Sequence, residues 1–262
     1  MTAKLIAEAR KIVIKIGSNT LAGNNGRISG SFLESLAGQV TELFRRNKQI
    51  VVVSSGAQVA GLSALDKWER KKDIHYRQAL CAVGQVELMA AWQRAFAPYG
   101  LHIGQILLTQ DDFGDDFRSL NMRNTIFTLV DEGIIPIINE NDTVGVEEIK
   151  IGDNDTLAAQ SAILWSADLV ILFSDVNGLY TKNPKIHSDA EFITEVKDIA
   201  SARTSVSIDG VNNFGTGGIA TKLDAAQLCV SYAIPVILAN GGFPRALAAL
   251  AEGTLQGTAF LV

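Results

Sequence analysis

The chain has 262 residues, of which 47% are hydrophobic and 19% charged, with 23 glycines, 5 prolines and a formal net charge of −5. This apolar content can bury enough surface to offset chain entropy, which excludes a disordered or collagen-like chain, and the length fits one large α/β domain or two joined lobes. A mild acidic excess excludes general binding to a nucleic-acid backbone, which needs clustered positive charge.

Cys81 and Cys229 each lie in an apolar helical pattern with no CxxC or Cys/His cluster around them. Neither a disulfide framework nor a structural zinc site is expected, and a reducing compartment follows. The N-terminal stretch MTAKLIAEARK interleaves charge with short apolar pieces and lacks the apolar core of a signal peptide. The uncharged run from Ala225 to Pro244 is about one membrane span long. Gln227, Ser231, Pro235, Asn240 and two glycines nevertheless mark it as the end of a helix followed by a strand. The expectation is a cytoplasmic protein with no membrane and no nucleic-acid partner.

Short β-branched runs recur along the chain: IVIKI (12–16), IVVV (50–53), IGQILL (103–108), IIPII (134–138), LVILF (169–173), IPVIL (234–238) and AFLV (259–262). They are too short for helices and too continuously apolar for strands with one solvated face, so they predict a sheet covered on both sides. Helical spacing appears between them, at Phe32 to Phe44, Ala79 to Phe96, Ile126 to Val130, Leu157 to Leu164 and Ile219 to Val230. Such alternation requires right-handed βαβ crossovers and yields a mainly parallel sheet with ligands at the carboxyl ends of its strands. Residues 140–155 and 176–195 are the longest polar interruptions and read as ligand loops or small hairpins, and ERKKD (69–73) reads as a solvated loop.

Five places could do chemistry. Lys15 sits among isoleucines on the first strand, where a lysine is costly unless it meets an anion or snorkels to solvent from an edge. The second strand runs into Ser54, Ser55, Gly56 and Ala57, small residues that let backbone N–H groups approach a ligand and that equally suit an ordinary turn. Asn139, Glu140, Asn141, Asp142, Asp153, Asn154 and Asp155 are denser in carboxylates and amides than capping a helix near Thr156 requires. FSDVNGLYTKNP (173–184) is turn-rich, and an exposed Tyr180 there leaves room for a flat ring. FGTGGIATK (214–222) opens a helix as a phosphate nest, with Lys222 one turn in. Its match to the dinucleotide fingerprint through Gly215, Gly217 and Ala220 is loose, and no Walker A string occurs.

Taken in order, VIKIGS, VVVSSGA, LCAVGQVELM, LLTQDDF, LNMRNT, IPIINENDTV, EIKIGDND, LFSDVNGLYT and GTGGIATK resemble the amino-acid kinase family across nearly the whole chain. INEND followed by GDND resembles the branch that phosphorylates the side-chain carboxylate of glutamate, as distinct from carbamate, acetylglutamate, uridylate and aspartate kinases. The resemblance implies a three-layer αβα sandwich in one domain, 1–262, with glutamate over the N-terminal half and ATP over the C-terminal half. The product would be glutamyl 5-phosphate, the first step toward proline. Lys15 and Lys222 would neutralise the migrating phosphoryl group, with Asp155 holding both. Ser55, Asp142 and Asn154 would bind glutamate, with Asn139 nearby. Ser174 and Asp175, with Thr216, Gly217, Gly218, Ile219, Ala220, Thr221 and Lys222, would line the ATP site. Mg²⁺ would arrive with ATP, no protein-held metal is implied, and a homo-oligomer, dimer or tetramer, is expected.

The residue types suit that chemistry independently. A carboxylate approaching a triphosphate at about 4 Å is repelled by roughly 4 kcal/mol at an effective dielectric near 20, so cations must lie between them. An ionised nucleophile needs no general base, which leaves positioning and preorganised charge to supply catalysis. Asp142 would pair with the α-ammonium, while Asn and Ser donors would meet the carboxylates. Ser54, Ser18, Asn19 and Asn183 are short polar departures from the family pattern. The sequence ends at Val262 after its last expected strand, where many relatives continue into a PUA-type domain, so a short form without that domain is expected. Competing readings are a family member acting on acetylglutamate, aspartate or carbamate, a non-catalytic amino-acid or nucleotide sensor, and a dinucleotide-dependent oxidoreductase.

Overall fold

The computed structural model describes residues 1–23, 26–65, 73–145, 154–182, 184, 187–207 and 218–262, with 205–207 by backbone alone. The seven expected apolar runs all form strands: β1 (Lys11–Ile16), β2 (Gln49–Ser54), β3 (Ile103–Leu108), β4 (Ile135–Glu140), β5 (Leu169–Ser174), β9 (Val236–Asn240) and β10 (Thr258–Phe260). Three two-residue strands add to them, β6 (Leu179–Tyr180), β7 (Phe192–Ile193) and β8 (Glu195–Val196), too short to leave a periodic trace in sequence. The main sheet has the order β3-β4-β2-β1-β5-β9-β10-β8 and is parallel at every pairing except β9 with β10. β6 and β7 pair as an antiparallel hairpin inside the 176–195 interruption.

Prolines set two of the strand boundaries. Pro235 has no N–H for a ladder, and β9 begins after it at Val236. Pro136 is tolerated inside β4 because its neighbour β2 pairs with β4 from Ile137 onward.

Alternation along the strands feeds two cores. Ile12, Ile14 and Ile16 of β1, with Ile50 and Val52 of β2, pack against α1 (Thr2–Glu8), α3 (Gly30–Arg45), α5 (Ile74–Phe96) and α11 (Ala246–Glu252). Val13, Val51 and Val53 point the other way, toward α7 (Asp116–Asp131), α8 (Asp155–Trp165), α9 (Ile199–Ser207) and α10 (Ile219–Ser231). The expected three-layer αβα sandwich is therefore what forms. By the same two-residue period Lys15 shares a face with Val13 and is directed at α8 and α10. Its strand lies in the middle of the sheet and its side chain is 3% exposed, so the edge or snorkelling alternative does not hold.

Several helices start on side-chain caps: Ser29 accepts from the Phe32 N–H, Asp73 from His75 and Tyr76, and Asp115 from Arg118. Periodicity foresaw α7 only over Ile126 to Val130, because the apolar residues of its first turns, Phe117 and Leu120, are exposed and do not mark a buried face. Short α2 (Ser18–Leu21), α4 (Ala57–Leu65) and α6 (Gln110–Gly114) follow the carboxyl ends of β1, β2 and β3. Helices α4 and α5 touch backbone to backbone, since a Cβ on Gly84 would lie 1.8 Å from the Ala57 carbonyl oxygen and one on Gly61 1.9 Å from that of Leu80. No helix among the described residues is long and apolar enough to cross a membrane.

Candidate active site

Parallel strands deliver their carboxyl ends to one rim. Ile16 of β1 sits between Ser54 of β2 and Phe173 of β5, so the segments that follow these three strands emerge side by side. Asn139 and Glu140 end β4 beside Leu107 and Leu108.

Lys15 reaches Asp155 Oδ1 at 2.6 Å and Lys222 reaches Asp155 Oδ2 at 2.9 Å, all three side chains being buried. Two cations on one anion leave this cluster with a formal charge of +1, which an anionic group would offset. Asp155 is the first residue of α8, where the helix dipole also favours a carboxylate. The Thr221 hydroxyl, on α10, donates to the Gly218 carbonyl at 2.9 Å and lies 3.3 Å from Asp155 Oδ2. The residues that the family resemblance implied would act together on the phosphoryl group are thus in contact.

The amides near Asp155 form a relay rather than a helix cap. Asn154 is the N-cap residue of α8 but makes no side-chain cap bond. Its Nδ2 instead donates to Asn139 Oδ1 at 2.8 Å, an atom that also accepts the Glu140 backbone N–H at 2.9 Å, and Asn139 Nδ2 donates to Gln85 Oε1 at 2.8 Å. Ser55 Oγ, Asn154 Oδ1 and Gln85 Nε2 are among the buried side-chain atoms that have no hydrogen-bond partner among the described residues. Asn154 thus commits one N–H to Asn139 and presents its Oδ1 as an acceptor. Asn139 is fully buried and holds its neighbours in place.

Asp142 is buried on the loop after β4. Burial pushes its carboxyl up to about 6, against opposing pulls from the Cys81 thiol, which donates to it, and the Arg77 guanidinium. Arg77 also donates through Nε to Gln58 Oε1 at 3.1 Å. Arg77, Cys81 and Gln85 are not among the site residues expected from sequence. Their spacing of four was the available signal, since it puts all three on one face of α5. Cys229, by contrast, is a buried thiol pushed up to about 12 by desolvation, far from the thiolate range.

On the other side of the lysines, Ser174 donates to Asp175 Oδ1 at 3.1 Å and Asn19 donates to Asp175 Oδ2 at 3.4 Å. α10 begins at Ile219 after Gly218 with no side-chain cap bond among the described residues, and the Thr221 N–H bonds the Gly218 carbonyl at 3.2 Å; a helix N-terminus favours an anion through its dipole. Thr216, Gly217, Asp153 and Asn183 lie outside the described residues. Tyr180 does not present a free ring: it is half-buried, packs edge-on against Phe192 at 5.2 Å and so serves the β6–β7 hairpin. Ser54 has a structural place too, accepting from Trp92 Nε1 at 3.0 Å and donating to the Ser55 carbonyl.

A mainly parallel αβα sandwich holds two buried ammonium groups at its carboxyl rim, and the model of the amino acid kinase family matches residues 10–240. The chain belongs to that family. A glutamate 5-kinase of Alkaliphilus metalliredigens is 57% identical over 260 residues, covering 99% of this chain and 98% of the relative. A glutamate 5-kinase of Treponema pallidum (strain Nichols) is 43% identical over 293 residues, covering 100% and 99%. The solved structure of UMP kinase from Ureaplasma parvum has the same fold, with a TM-score of 0.67 over 97% of this chain and 99% of that one, at 18% identity.

Proposed function

We propose that this chain is a glutamate 5-kinase, which transfers the terminal phosphoryl group of ATP to the side-chain carboxylate of L-glutamate, giving L-glutamyl 5-phosphate and ADP for proline synthesis. The observation that carries the reading is the joining of Lys15 and Lys222 through Asp155 at 2.6 and 2.9 Å. Near-identical length and 57% identity to a relative bearing that name support the choice of acceptor.

Glutamate occupies the N-terminal half, its ammonium toward Asp142 and the Asn154 oxygen and one carboxylate accepting from Ser55. ATP occupies the C-terminal half, its phosphates against the N-terminus of α10 and Lys222, with Ser174 and Asp175 at its edge. The residues fit such a group, since the positive end of a helix dipole and buried ammonium groups both favour an anion. ATP supplies the phosphoryl group, and Mg²⁺ enters with it rather than in a site of the protein's own. Lys15 and Lys222 lower the repulsion between carboxylate and phosphate, and Asp155 keeps both ammonium groups pointed at the gap. No proton need be removed, because the glutamate carboxylate is already ionised at neutral pH. Exposed Val86 on α5 and Phe117 and Leu120 on α7 support the expected homo-oligomer.

The test is ADP release with L-glutamate against aspartate, N-acetylglutamate and carbamate, with hydroxylamine trapping the acyl phosphate as a hydroxamate. Glutamate-dependent hydroxamate is the expected product. Faster turnover of another acid would replace the acceptor.

A further inference from the structure

We infer that Gln85 is a specificity-determining residue for the amino-acid substrate, its Nε2 donating to the α-carboxylate. This deepens the proposed function and rests on it.

The polarity of the amide relay starts from a group that cannot be flipped. The Glu140 backbone N–H can only donate, so the Asn139 atom at 2.9 Å from it must be oxygen. Asn139 therefore turns its nitrogen toward Gln85, and the Gln85 atom that receives it at 2.8 Å must be oxygen. Gln85 is left presenting Nε2, which carries two N–H donors. That atom is buried and has no partner among the described residues. A donor of this kind costs free energy unless a ligand or water meets it. At the far end of the relay the same logic leaves Asn154 presenting Oδ1, also unpartnered. The relay thus shows a donor at one end and an acceptor at the other.

Position selects which end of the substrate each one meets. The side-chain carboxylate must face Lys15 and Lys222. Cys81 lies one helical turn before Gln85 on the same face of α5, and its thiol donates to Asp142. Gln85 is therefore a turn away from the carboxylate that takes the ammonium, and the α-carboxylate hangs from the same carbon as that ammonium. Asp142 and the Asn154 oxygen read the positive group, and Gln85 reads the negative one.

Gln85→Glu keeps the acceptor that orients Asn139 and removes the donor. The assay compares L-glutamate with its α-amide, in which the nucleophilic side-chain carboxylate is intact and the α-carboxylate is a neutral carboxamide. Wild type should prefer glutamate. Gln85→Glu should lower the ratio of kcat/KM for glutamate to that for the α-amide by about 10- to 100-fold, the loss of one hydrogen bond to a charged group. The KM for ATP should not change. Gln85→Met, which is uncharged, should move the ratio the same way and guards against misfolding of the buried carboxylate. If both variants lose activity equally toward the two acceptors, Gln85 only holds Asn139 and the assignment is overturned. Wild type that phosphorylates neither acceptor would overturn the glutamate reading, and this assignment with it.

Discussion

Asp155 carries two buried lysines, and truncating either lysine has a different consequence from truncating the carboxylate. Lys222→Ala and Lys15→Ala each leave a neutral buried pair, so folding should survive while kcat falls by about 10²- to 10³-fold, by analogy with removing one preorganised oxyanion donor. Near-normal turnover in both would refute their assignment. Asp155→Ala leaves two ammonium groups buried without their anion and should cost about 3–5 kcal/mol of stability, read as a lowered midpoint in urea unfolding. Asp142 titrates where the enzyme can be assayed. With its carboxyl raised to about 6, the charge that holds the ammonium is lost as pH falls through that value, so kcat/KM for glutamate should drop about tenfold per unit below pH 6 while the KM for ATP stays level. Asp142→Asn should be weak at every pH. The sign for folding is opposite. Ionising a carboxyl whose folded pKa is raised is unfavourable, so the contribution of Asp142 to stability improves between pH 7 and 4, and a wild-type profile that matched Asp142→Asn would exclude the assigned burial.

At the scale of elements, the crossing of α4 and α5 positions both the Ser55 loop and the Arg77–Cys81–Gln85 face. Gly84 has no room for a methyl group, because its nearest neighbours are the Ala57 carbonyl oxygen at 1.8 Å and the Gly61 nitrogen at 2.3 Å, both backbone. Gly84→Ala should therefore push the helices apart, costing roughly 1–3 kcal/mol as an overpacked contact and raising the KM for glutamate more than that for ATP. Gly114 has nothing within 4 Å of a built Cβ and is the control: Gly114→Ala should leave the unfolding midpoint unchanged or slightly higher. Equal behaviour of the two variants would remove the packing explanation.

For the whole molecule, the sites proposed for glutamate and ATP lie over two halves of one continuous sheet that is packed between two cores. A single cooperative unit should be stabilised by either ligand alone. At 100 times its Kd each should add about 2.7 kcal/mol, raising Tm by roughly 5–10 °C in one transition. Two separated transitions, only one of them shifted by glutamate, would mean that the halves unfold independently.

The residues themselves determined seven of the eight strands of the main sheet, its mainly parallel, doubly covered character and the polar segments at its rim, because side-chain period and apolar run length are local properties of a few consecutive residues. The family resemblance supplied the roles of Lys15, Asp155 and Lys222, but neither spacing nor periodicity could bring β1, α8 and α10 together. Only the folded chain decided that Asn154 serves a relay instead of a cap, that Tyr180 is occupied by Phe192, and that Gln85 shows its nitrogen. Those outcomes depend on contacts between remote segments, where the orientation of one amide is fixed by a backbone N–H two side chains away.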